Sequence, residues 1–249
     1  MGNYSIEAQA LFTTDLYANN PNAPAIHVRI SELPQFIEET KSSTFSTYVS
    51  MTYEVISQYL KDALSLLIDI NSPHFKRTRE KGLGPEEELQ NAIAKAKYLP
   101  LDVADVATLT YYRHRRNHII HQARSISPKF VAFIASEYAT LEQHWDGSAS
   151  KQDFSSHDIF SFSEQEAIEA IKILRIVFQR IDTHIASLLD NNALAEHVAR
   201  DLFSATPQRI NASVVKKRVS KLKKHIKHVY DLEPSHVSLE EAARKYGAK

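Results

Sequence analysis

The chain has 249 residues, with 30 Lys+Arg against 30 Asp+Glu, five Gly, nine Pro and no Cys. Without Cys there is no disulfide framework, no Cys-ligated zinc or iron–sulfur centre and no thiol catalysis. The scattered glycines (Gly2, Gly82, Gly84, Gly147, Gly247) cannot build a GxGxxG turn or a Walker loop. A formal net charge of zero argues, taken at face value, against a nucleic-acid partner, because such domains are usually basic.

No window resembles a secretory signal, and no run approaches the roughly eighteen apolar residues of a membrane span. The expectation is therefore a cytoplasmic protein with no membrane partner. Residues 1–45 are broken by Pro21, Pro24 and Pro34 and read as an N-terminal arm. Within it Ile26, Val28 and Ile30 alternate with His27 and Arg29, as in one short strand. From Ser46 onward Val49, Thr52, Ile56, Tyr59, Ala63, Leu67 and Ile70 recur at three and four, which predicts a long amphipathic helix ending before Ser72-Pro73.

A basic polar loop occupies 72–84. Pro85 followed by Glu86, Glu87 and Glu88 starts a helix, with proline early and acids in the first turn. That helix stops at Leu99-Pro100, and Asp102 is the N-cap of the next, which runs towards His121. Another spans Pro128 to Trp145, and 146–162 is a Ser-rich loop. Ser163 and Glu166 form a capping box for a helix of about six turns over Ala167, Ile171, Leu174, Phe178, Ile181, Ile185 and Leu188. A shorter helix covers 192–203. After Pro207 an amphipathic helix carries Val215, Val219, Leu222, Ile226 and Val229 on one side and a lysine-rich face on the other; Ser238 and Glu241 cap a last short helix. The pattern is all-α, a bundle of four or five long helices with an N-terminal arm and a basic C-terminal helix.

The chemistry concentrates in Tyr111-Tyr112-Arg113-His114-Arg115-Arg116-Asn117-His118-Ile119-Ile120-His121-Gln122. Five Lys/Arg and no acid occur between residues 106 and 136, so the cations are not neutralised locally. Three readings compete. In the first, this is a solvated basic face paired with acids on neighbouring helices. In the second, His114 and His118, one turn apart, bind a metal, against the repulsion of Arg113, Arg115 and Arg116. In the third, Arg holds a phosphodiester with its planar fork while His transfers protons near neutral pH.

Arg116-Asn117-His118-Ile119-Ile120-His121 has the form R-N-x-x-x-H and resembles the R-x4–6-H signature of HEPN-superfamily ribonucleases, with their favoured Asn directly after the Arg. It also falls where that family puts it, late in a helical hairpin behind a long amphipathic helix. The resemblance spans about residues 46–190, and it divides the chain into the arm (1–45), a HEPN-like bundle (46–204) and a basic C-terminal extension (205–249). It implies a metal-independent endoribonuclease with no cofactor. His121 would be the general acid/base for 2′-hydroxyl attack, Arg116 would stabilise the phosphorane, and Asn117 would orient the pair or bond the phosphate. In such families the enzyme is often a toxin or phage-defence effector held in check by an antitoxin or other regulatory protein. The alternative is a HEPN-like module that binds nucleic acid or protein without catalysis.

Five residues on a regular helix rotate by about 500°, leaving Arg116 and His121 about 140° apart. Either the helix is irregular there or two copies pool their motifs, as family members typically do, which predicts a homodimer with a composite cleft. Around the motif, Arg113 shares a face with Asn117 and His121 and can add a phosphate contact. His118 is a further candidate, and Glu54 on the first long helix can pair with Arg116. Tyr111 and Tyr112 can stack on a base or fill the core.

The C-terminal helix carries eight Lys/Arg and no acid between 202 and 230. Lys216, Lys217, Lys221 and Lys224 are the candidate RNA contacts, against a docked helix with solvated lysines, or one meeting an anionic membrane or acidic protein. Together the two windows hold thirteen Lys/Arg and no acid, so the neutral total is a cancellation.

Overall fold

The helical periodicities of the sequence become helices in the computed structural model, which describes residues 11–70, 74–75, 82–121, 125–147, 152–155, 161–204 and 210–246. In chain order they are α1 (Thr13–Leu16), α2 (Leu33–Ile70), α3 (Pro85–Lys95), α4 (Val103–Ile120), α5 (Pro128–Trp145), α6 (Glu164–Leu188), α7 (Asn191–Phe203), α8 (Ala212–Tyr230) and α9 (His236–Lys245). The chain is all-α. Among the described residues the only β feature is an isolated antiparallel bridge between Phe12 and Arg29. The alternation at 26–30 therefore makes no strand, and Ala23–Ile26 instead forms a 3-10 turn started by Pro24. Most of the basic loop 72–84, together with Arg124 and Arg209, lies outside the described residues.

Local signals explain the helix ends. Asp102 Oδ1 accepts from the Ala104 and Asp105 N–H groups at 2.8 and 3.3 Å, capping α4. The Ser163–Glu166 box closes in both directions: the Ser163 N–H donates to Glu166 Oε2 at 3.0 Å, and the Glu166 N–H donates to Ser163 Oγ at 3.3 Å. α9 begins earlier than expected. Its cap is Ser235, whose hydroxyl accepts from the Ser238 N–H at 3.1 Å, and Ser238 is a buried residue inside the helix.

α2 is the larger correction. It starts at Leu33, so the arm does not run to residue 45. Pro34 lies in the first turn, where a missing N–H costs nothing. The following stretch is polar, which hides its helicity from an apolar-periodicity reading. Its hydroxyls fold back on the helix: Thr40, Thr44 and Thr47 donate to the carbonyls of Phe36, Thr40 and Ser43 at 2.7–2.8 Å.

By compactness the chain divides into two units, Met1–Thr52 with Tyr111–Ile173, and Tyr53–Thr110 with Leu174–Lys249. Helices α2, α4 and α6 contribute residues to both. In the first unit Tyr111, Tyr112, Phe130, Trp145, Phe154 and Phe162 form an aromatic core, each at most 3% exposed. Tyr111 packs edge-on against Tyr112 and Phe154 at 5.3 and 5.0 Å between ring centroids. Phe154 and Phe162 come from the Ser-rich loop, which is thus part of the core where it is described.

In the second unit Glu86 is fully buried and accepts from the hydroxyls of Tyr53 and Thr110, both at 3.1 Å, so its carboxylate is not left unpaired. Asp105, also buried, is paired with Arg180 at 3.1 Å. The same unit places α7, α8 and α9 around one apolar cluster that includes Leu194, Val198, Phe203, Val215, Leu222, Ile226, Leu239 and Ala243. The boundary expected at 204/205 is therefore not a break. The seam of α8 needs an apolar partner, and α7 supplies it.

Candidate functional site

The cationic stretch lies on the C-terminal half of α4, in the first unit. A regular helix presents neighbouring residues about 100° apart, so the run of cations is divided among different environments. Arg115 points inward and is 1% exposed. Its guanidinium carbon lies 3.6 Å from the centroid of Phe162, Nη2 donates to the Ser161 carbonyl at 2.6 Å, and Nη1 donates to the Tyr111 hydroxyl at 3.4 Å. Glu166 Oε1 is 4.0 Å away. Arg115 therefore belongs to the core, held by a cation–π contact, hydrogen bonds and a carboxylate. It is not available to a ligand.

His118 is buried too, and both ring nitrogens are committed. The Ser127 N–H donates to Nε2 at 3.0 Å, so the proton is on Nδ1, which donates to the His114 carbonyl at 2.7 Å. This ring ties the start of α5 to α4. As a supporting catalytic residue or a metal ligand, His118 is ruled out by these two bonds.

His114 stacks on Phe130 at 5.0 Å with the planes 12° apart. Burial pushes its pKa down to about 4, helped by the charges of Arg113 and Lys129. Being neutral at working pH would suit a metal ligand, but with His118 occupied the pair of ligands does not exist. Tyr111 and Tyr112, at 0% and 1% exposure, fill the core and cannot stack on a base. Burial raises the pKa of both phenols, for Tyr111 against the opposing charge of Arg115.

Arg116 and Asn117 are brought together. Both are half-buried, and Arg116 Nη1 donates to Asn117 Oδ1 at 3.0 Å, which fixes one edge of the guanidinium. The Asn117 carbonyl in turn accepts from the His121 N–H at 3.1 Å, continuing the helical pattern just past the end of α4. Helix regularity is thus kept through the motif, and an irregular helix does not bring Arg116 and His121 side by side. His121 is exposed, and among the described residues its imidazole makes no hydrogen bond. Arg113 is half-buried on the same helix.

The remaining candidates belong to the second unit. Glu54 is exposed on α2 and belongs to the second unit, as do Lys216, Lys217, Lys221 and Lys224, all exposed on α8. Sequence reading did not single out Arg115 as a core residue or the bond between His118 and Ser127. The three phenylalanines of the Ser-rich loop, Phe154 and Phe162 among them, were the available signal that it had something to cover.

No protein-family model matches the chain, and no curated protein or solved structure matches it either.

Proposed function

We propose that the chain is a metal-independent endoribonuclease of the HEPN type, acting as a cytoplasmic toxin or phage-defence effector restrained by a regulatory protein. The observation that carries this reading is the Arg116–Asn117 hydrogen bond at 3.0 Å, one turn before an exposed His121. It gives a pre-oriented phosphate clamp followed by an accessible titratable group, in a stretch of chain without acids.

In the reaction, one His121 takes the proton of a ribose 2′-hydroxyl as its oxygen attacks phosphorus. Arg116 offsets the charge gathering on the phosphorane oxygens. The 5′-oxygen leaves with that proton, returned by the same imidazole, giving a 2′,3′-cyclic phosphate and a 5′-hydroxyl end. The separation of Arg116 and His121 by about 140° calls for two copies of the motif in one cleft, one giving the arginine and the other the imidazole. Tyr48 and Met51, which stand out of α2 at 57% and 62% exposure in the same unit, offer apolar surface for such a pairing.

The test is incubation of purified protein with total RNA in EDTA. Cleavage leaving cyclic phosphate ends is expected for the wild type and is lost in Arg116→Ala and in His121→Ala, each with an unchanged melting curve. Persistence of cleavage in both variants overturns the reading. The second reading, a non-catalytic HEPN-like binding module, is favoured by the His121 ring having no hydrogen-bond partner among the described residues; wild-type protein that binds RNA and leaves it intact selects that module.

A further inference from the structure

The lysine face of α8 is not uniform. Arg218 is turned inward, with Nη1 donating to the Tyr246 and Ala243 carbonyls at 2.6 and 3.2 Å and its guanidinium over Phe203 at 4.7 Å, so it fastens α8 to α7 and α9. Lys227 is held by Asp231 at 2.8 Å and Glu233 at 3.4 Å. Lys221 lies 5.8 Å from the Phe203 ring. That leaves Lys216, Lys217, Lys223 and Lys224, all exposed and without an ion pair among the described residues.

Helix α8 contains no acid at all, and like charges recur one turn apart at Lys217/Lys221 and Lys223/Lys227. Such pairs are mildly destabilising on a helix. Among the described residues of this unit none forms an ion pair with these four ammonium groups, although Lys227 and Lys245 on the same assembly of helices are paired.

We propose that the exposed face of α8 is a binding site for the sugar–phosphate backbone of a nucleic-acid strand, read through Lys216, Lys217, Lys223 and Lys224. Three arguments select this partner. First, the apolar seam of α8 is largely spent: Val215, Leu222 and Ile226 are at most 2% exposed and Val229, in the last turn, stands out at 52%, a single side chain that gives the helix no apolar face to sink into a bilayer. Second, Lys216 to Lys224 spans about 12 Å of helix axis at 1.5 Å per residue, a length over which one strand of a duplex presents three to four phosphates at about 3.4 Å of axis each. Third, Ser220, Lys223, Lys224 and His228 lie together on one open patch of this helix with Lys227, whose ammonium Asp231 already holds. Lysine ammonium groups without an aromatic stacking partner contact phosphates and read no bases, so binding is independent of sequence.

The site is independent of the ribonuclease reading, and the probe keeps the two apart. A fluorescent single-stranded dT20 oligonucleotide has no 2′-hydroxyl and is not cut by 2′-oxygen attack, so its binding is read without cleavage, and comparison with Arg116→Ala subtracts any contribution of that arginine to holding phosphate. Four phosphate contacts on a single strand predict a loss of affinity of about 50-fold between 50 and 200 mM salt. The variant carrying Lys216→Gln, Lys217→Gln, Lys223→Gln and Lys224→Gln is expected to bind at least 10-fold more weakly at 50 mM salt, with only a few-fold salt effect, and to melt no lower than wild type. Equal affinity and equal salt dependence in the two proteins overturn the proposal. So does wild-type protein that ignores dT20 but binds poly-Glu or phosphatidylserine vesicles, which would assign the face to an acidic protein or a membrane.

Discussion

The guanidinium of Arg115 stacks 3.6 Å from the ring centroid of Phe162 while the adjacent Arg116 hydrogen-bonds Asn117 at 3.0 Å, so two neighbouring arginines serve opposite ends. Truncating Arg115 removes its bonds to Ser161 and Tyr111 and empties space beneath Phe162. Arg115→Ala should therefore cost about 3–5 kcal/mol of stability, the range for disrupting a buried charged network, and Arg115→Lys should not restore it, because an ammonium cannot lie flat on the ring. Urea denaturation checks this. Arg116→Ala, by contrast, is expected within about 1 kcal/mol of wild type.

The Ser127–His118–His114 chain of bonds predicts a second asymmetry. His118→Ala leaves the Ser127 N–H at the start of α5 without its acceptor and opens a gap beside Phe130. The expected loss is about 2–3 kcal/mol, whereas His121→Ala should leave the melting temperature unchanged. With both His118 nitrogens engaged, zinc ions should produce no rise in melting temperature that depends on His118. A zinc-dependent rise abolished by His118→Ala would contradict the bonding described here.

His114 sets a pH dependence. Its folded pKa of about 4 lies below the ordinary 6.5, so between these values the unfolded chain binds a proton that the folded protein does not. Stability is then full above pH 6.5 and declines as the pH falls towards 4. The ring is only about half-buried, and with solvent screening allowed for the decline is about 1–2 kcal/mol. His114→Gln should flatten the unfolding free energy across this window, as measured by urea titrations at pH 4, 5, 6 and 7. An unaltered slope would show that the ring is not the titrating group.

A composite cleft makes a complementation prediction. If one copy supplies Arg116 and another His121, mixing inactive Arg116→Ala and His121→Ala proteins rebuilds a complete pair in the mixed dimers. Statistical exchange then restores on the order of a quarter of wild-type cleavage. Each variant alone stays inactive. No recovery on mixing, under conditions where subunit exchange is demonstrated, would mean that the motif does not work across two copies.

Much of the fold was legible because its signals are local. Asp102 at the head of α4 and the Ser163–Glu166 box lie within three residues of the groups they satisfy, and the four-and-three spacing of α6 needs no knowledge of its neighbours. α2 was half-hidden because Thr40, Thr44 and Thr47 bond their own helix instead of marking an apolar face.

The sequence alone determined an all-α chain, the positions of its long helices apart from the first third of α2, and the concentration of cations on two of them. Which cations face inward was decided only by tertiary structure. Arg115 is buried because Ser161 and Phe162, some 46 residues further on, return to cover it. Arg218 is buried because α9 brings the Ala243 and Tyr246 carbonyls to its guanidinium. Helix periodicity assigns a residue to a side; only the distant segment that packs there determines whether that side is core or solvent.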